Sequence, residues 1–219
     1  MVRGLLRGVG AGLVPAALAT LVLTGCSSEG ESDRPRPGAS AKGEAQGDGK
    51  GGAAKAAAKG GTVGGAGSPC ALPVSFDLAA DWKPKAVKED KQFGLTKQGP
   101  VTLVCEIDAK PAGNIGFLRV WTGGQAGDDA RKALEAFVAE EAKSRDKVAF
   151  AQIKAGEYTA TEVTYLNTNE FLDAPKKERA LAVTTPKGVV VVHLGGLDNE
   201  EHEGMLPAYE LAKKSLHGA

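Results

Sequence analysis

The chain has 219 residues, with 27 basic and 27 acidic side chains and a formal net charge of zero. Its C-terminal 150 residues hold 19 basic and 22 acidic side chains, a net charge of −3. No basic field is present to attract nucleic acid.

Arg3 and Arg7 form a basic tip before an uncharged run rich in Ala, Leu, Val and Gly, Gly8 to Gly25. A basic n-region, an apolar h-region and small residues before a cleavage point describe a signal peptide over residues 1–25. A membrane span needs about 20 strongly apolar residues. This run is shorter and is diluted by Gly10, Gly12 and Pro15. Leu23-Thr24-Gly25-Cys26 resembles the bacterial lipobox: an aliphatic residue, two small residues, then Cys. The resemblance implies a diacylglyceryl group on Cys26, which becomes the new N-terminus. Two acyl chains anchor a protein stably where one does not.

Residues 26–69 read as the lipidated cysteine followed by a disordered tether. From Ser27 to Pro69 the composition is Gly, Ala, Ser, Lys, Glu and Pro, with Val63 as the one large apolar residue. Such a segment buries too little apolar surface to offset its ordering entropy. As a flexible coil it would span about 35–40 Å.

Residues 70–219 are the length of a single domain. Strand patterns recur at Val74–Leu78, Pro84–Glu89, Val101–Asp108, Ile115–Thr122, Lys147–Lys154, Tyr158–Leu166, Arg179–Thr185 and Val189–Leu194. Short turns join them in pairs, which predicts an antiparallel sheet. Val101, Leu103, Cys105 and Ile107 are placed on one apolar strand face. A helix is expected from an Asp128 cap to about Asp146, with Ala130, Leu134, Phe137 and Val138 inward. A second runs from an Asp198 or Asn199 cap to about Leu216, with Met205, Tyr209 and Ala212 inward. The fold class is α+β, an antiparallel sheet with two helices packed on it.

An exported chain meets an oxidising compartment, so Cys70 and Cys105 are disulfide candidates, the alternative being two buried thiols. A bridge would close a loop of about 35 residues.

Residues 70–219 carry no recognisable motif of catalysis. Ser75, Ser144 and Ser215 lack the glycine flanks of a nucleophile elbow. His202 and Glu203 begin a zincin-like pattern, but its fifth position is Leu206. The carboxylates around His202 then read as an acidic helix start. Gly123, Gly124 and Gly127 read as turn chemistry, because Asp128 and Asp129 would repel phosphate. His193 shares a face with Val189 and Val191, either lining a pocket or sitting in the core. His217 reads as exposed, and Trp82 and Trp121 as core anchors. The long polar connection Tyr165–Arg179 carries Phe171 and Leu172. They either pin the loop to the core or form a partner-binding surface.

The order of elements, with "VSFDLAADW", "IKAGEYTATEVTY" and "LPAYELAKKSL", resembles the PsbP-like sandwich and the actinobacterial lipoproteins of the LpqN type. This implies a non-enzymatic binding or assembly module. The expectation is a lipid-anchored protein on the extracytoplasmic face of the cell membrane. It needs no cofactor and no metal, has no catalytic residues, and presents a domain to an unknown protein or small molecule. The alternatives are a carrier for a small apolar ligand, or a cell-envelope hydrolase without a recognisable motif.

Overall fold

The computed structural model describes residues 57–88, 96–168 and 174–219. The expected signal peptide, Cys26, Phe171 and Leu172 lie outside the described residues.

Chain order begins with β1 (Lys59–Val63) and β2 (Val74–Ala79), followed by β3 (Lys83–Ala86) and β4 (Lys97–Gln98). Next come β5 (Val101–Asp108), β6 (Gly116–Gly123) and helix α1 (Ala130–Glu141). Then follow β7 (Ser144–Ala155), β8 (Tyr158–Thr168), β9 (Lys176–Thr185) and β10 (Gly188–Gly196). Helix α2 (Asn199–Lys214) and the short β11 (His217–Gly218) complete the described chain. The large sheet runs β3-β5-β6-β10-β9-β8-β7, with β4 beside β5, and its pairs are antiparallel. A small sheet runs β1-β2-β11. The α+β class and three of the expected hairpins, β5–β6, β7–β8 and β9–β10, are present.

The large sheet is covered on both faces. On one, α1 buries Leu134, Phe137 and Val138 against Leu103, Trp121, Val163, Ala180, Ala182, Val189 and Val191. On the other, α2 and the small sheet bury Phe76, Met205, Tyr209 and Leu216 against Ile107, Leu118, Val190, Val192 and Leu194. Full burial of each such large side chain contributes about 1.5–3 kcal/mol.

Five expectations need correction. Residues 59–63, read as tether, form a strand of the small sheet, and Val63 is fully buried. Glycine at this site serves close approach as well as flexibility. A Cβ on Gly60 would lie 2.4 Å from Ala80 Cα, and one on Gly64 would lie 2.0 Å from the Val74 carbonyl oxygen. Second, β2 and β3 are not a hairpin. They belong to different sheets, because the chain turns at Asp81, whose φ of 67° is left-handed. Third, Asp129 caps α1, accepting from Arg131 N and Lys132 N, while Asp128 accepts from Gln125 N in the turn before it. The helix ends at Glu141, earlier than expected, and β7 begins at Ser144. Fourth, His217 pairs with Ser75 in β11 and is half-buried. Fifth, a bulge between Leu103 and Cys105 divides the expected single face of β5. Leu103 packs toward α1, whereas Cys105 and Ile107 pack toward α2.

Cys105 thereby meets Cys70. The two form a disulfide with Cα atoms 5.8 Å apart, inside the usual range for a bridge.

Candidate functional site

Helix α1 has 12 residues, about 18 Å of rise, and covers only part of its sheet face. Apolar side chains fill the covered part. Beyond the C-terminal end of the helix the same face turns polar. The register makes this orderly: Glu106 of β5 pairs with Arg119 of β6, and Arg119 pairs with His193 of β10. Alternation along each strand sends all three to the α1 side. Arg119 Nε donates to Glu106 Oε1 at 2.8 Å, and its guanidinium lies 4.7 Å from the Phe117 ring centre.

His193 stands at the boundary. Its ring meets the Phe137 ring edge-on at 5.5 Å, on the apolar side. Its Nε2 lies 3.2 Å from Glu178 Oε2, on the polar side. Glu178 of β9 is wholly buried and also receives Lys176 Nζ at 2.7 Å from Oε1. Glu141, the last residue of α1, accepts from the Tyr165 hydroxyl.

Burial alone would push the Glu178 carboxyl up. The His193 hydrogen bond and charge, with the Lys176 ammonium, outweigh it and hold the group below the usual carboxylate range. Burial, reinforced by the charges of Glu141 and Glu178, pushes the Tyr165 phenol well above its ordinary value. It stays a neutral donor.

Two adjoining pockets open here. One, about 240 Å³, has Ile115, Phe117 and Leu197 on its apolar wall, with Gly116, Gly195 and Gly196 around it. A Cβ on Gly195 would stand 3.4 Å from His193 Cε1, so glycine keeps the imidazole edge uncovered. Ile115 and Leu197 are exposed at 53% and 60%. The other pocket, about 300 Å³, is lined by Gln98, Glu106 and Trp121. Arg119, Glu141 and His193 line both. The Trp121 indole N–H and Gln98 Oε1 are buried in this second pocket with no hydrogen-bond partner among the described residues. Buried polar groups ordinarily have partners, so both point to an occupant.

Among the described residues, Glu141, Glu178 and His193 bring ligand-type atoms within 4.8 Å of one another, a set that could hold a metal ion. Those atoms are engaged already. Lys176 and His193 hold Glu178, and Tyr165 holds Glu141. A cation would have to break this network and would meet Arg119 and Lys176 beside it. The arrangement is better suited to hydrogen-bonding a small polar molecule.

Of the residues singled out in the sequence, Cys70 and Cys105 are joined on the opposite face of the large sheet. Trp82 is buried on the opposite face, as a core anchor. Trp121 is buried too, but lines a pocket. His193 combines core burial with pocket lining. Glu141, Tyr165 and Glu178 were missed. Glu178 had a readable signal, since Glu178, Ala180 and Ala182 alternate onto the α1 face.

The family described as "uncharacterised lipoprotein" matches residues 40–216, and the chain belongs to that family. No curated protein matches it. Among the described residues no helix is long and apolar enough to cross a membrane.

Proposed function

We propose that this lipoprotein is held on the extracytoplasmic face of the cell membrane by a diacylglyceryl group on Cys26. In this reading it presents a PsbP-like, LpqN-type α+β unit as a non-enzymatic binding module. The two pockets around His193 are its ligand site. The observation that carries this is their shared wall: Arg119, Glu141 and His193 face both spaces, and Gly195 leaves the His193 edge open to the first. Among the described lining residues of the two pockets there is no serine, threonine or cysteine to serve as a nucleophile. The charged walls also favour a polar ligand over the apolar cargo of a carrier. Ile115 and Leu197 at the mouth would contact the ligand's apolar part.

The test is crosslinking of the intact lipoprotein on cells, with identification of what is caught. Gly195→Leu would send a side chain toward His193 and fill the first pocket. The expected result is loss of the captured species in that variant. Capture of the same species by both proteins would refute the pocket as the ligand site.

A further inference from the structure

We infer that a third pocket, beside the first turn of α2 on the opposite face of the large sheet, binds a small oxyanion group, a carboxylate or a phosphate. The pocket measures about 310 Å³. In the β8–β9 register Thr164 pairs with Arg179 and Leu166 with Lys177. These pairs face α2, while the intervening Glu178 turns to His193 on the other side.

Two buried nitrogens in this pocket have no partner among the described residues, Arg179 Nε and His202 Nδ1. His202 is only 3% exposed. An unpaired buried donor costs about 1–3 kcal/mol. The Arg179 guanidinium is fixed from its far end, where Nη1 lies 3.6 Å from Glu210 Oε1 and the group sits 5.9 Å from the Tyr209 ring centre. Its Nε–H is thus left directed at neither. With His202 in its Nδ1–H tautomer both nitrogens are donors, and an oxyanion supplies the acceptors they lack.

The surrounding charge agrees. Lys147 of β7 and Arg179 of β9 line the pocket, and Lys177 lines it while bonding Glu203 at 2.7 Å. Two carboxylates also line it, Glu203 of α2, held by Lys177, and Glu178 of β9, held by Lys176 and His193. His202 lies in the first turn of α2, where the helix dipole is positive. Burial holds its imidazole down to about 4, against partial opposition from Glu178 and Glu203, so the ring is neutral near pH 7. In its Nδ1–H tautomer it donates to an anion without first needing a proton.

The experiment follows the ring C–H signals of His193, His202 and His217 by NMR on the full chain in neutral detergent. Sodium phosphate and sodium acetate are titrated separately at pH 7, with ionic strength held constant by sodium chloride. A saturable shift of His202 alone, with either anion, supports the site, and the anion that saturates names the chemistry. Arg179→Lys keeps the charge but removes the Nε–H, and its fold is checked by an unmoved His193 signal. It should weaken the response at least about tenfold, as expected where the guanidinium donors matter. No saturable His202 shift from either anion up to about 50 mM, beyond millimolar affinities, would overturn the inference. So would an unchanged affinity in Arg179→Lys.

Discussion

His202 makes the folded state sensitive to mild acid. Its imidazole has a folded value of about 4 against an ordinary 6.5, with burial as the main cause. The folded value lies below the unfolded one, so between those limits the unfolded chain takes up a proton that the folded chain refuses. Stability therefore falls as pH drops from 6.5 toward 4, and the loss is complete below that window. The difference corresponds to about 3 kcal/mol, with roughly half lost by pH 5.25. Carboxylates held low, such as Glu178 and Glu203, lose their contribution only below the ordinary carboxylate range, at the acid end of the window. The assay is urea unfolding at several pH values, wild type against His202→Gln, in buffers without carboxylate or phosphate groups. Any fixed cost of the substitution cancels, because the pH dependence is what is compared. Wild type should lose about 3 kcal/mol more than the variant between pH 7.5 and 4. Parallel stability curves for the two proteins would refute the reasoning.

Replacing Cys70 and Cys105 together by Ala removes a cross-link between residues 35 apart and should cost about 4 kcal/mol by the chain-entropy relation. Urea unfolding measures it, and a loss under about 1 kcal/mol would mean that the bridge constrains little. Cys26→Ala should move the protein from the membrane fraction to the soluble fraction on cell fractionation. Retention in the membrane would refute lipid anchoring through that thiol.

Much of the scaffold was legible because local signals agreed with one another. Three hairpins carried short turns between alternating strands, and α2 carried its Asp198 cap and an apolar stripe ending near Leu216. Composition misled at β1. Lys59–Val63 has the glycine content of a linker, yet glycine is what lets its backbone lie against Ala80 and Val74. Sequence shows that glycine is permissive without showing whether the permission serves disorder or contact. The polar site was illegible for a different reason. Glu106, Arg119 and His193 are scattered along the chain and become a row only through strand register. Glu141 joins them because α1 stops there, earlier than its pattern suggested.

The bulge in β5 ties these features together. Alternation without interruption would put Val101, Leu103, Cys105 and Ile107 on one face. The extra residue at Val104 reverses the parity, as a one-residue slip does along any strand. Leu103 then stays with Trp121 under α1, while Cys105 crosses to the face where Cys70 waits. The same reversal sends Glu106 to the α1 side, opposite Arg119, where it builds the wall of the second pocket. A regular strand would leave Cys105 on the wrong side of the sheet for its disulfide and Glu106 on the wrong side for its ion pair. One inserted residue thus serves the covalent anchor of the small sheet and the polar wall of the candidate site. Removing it should disturb both at once.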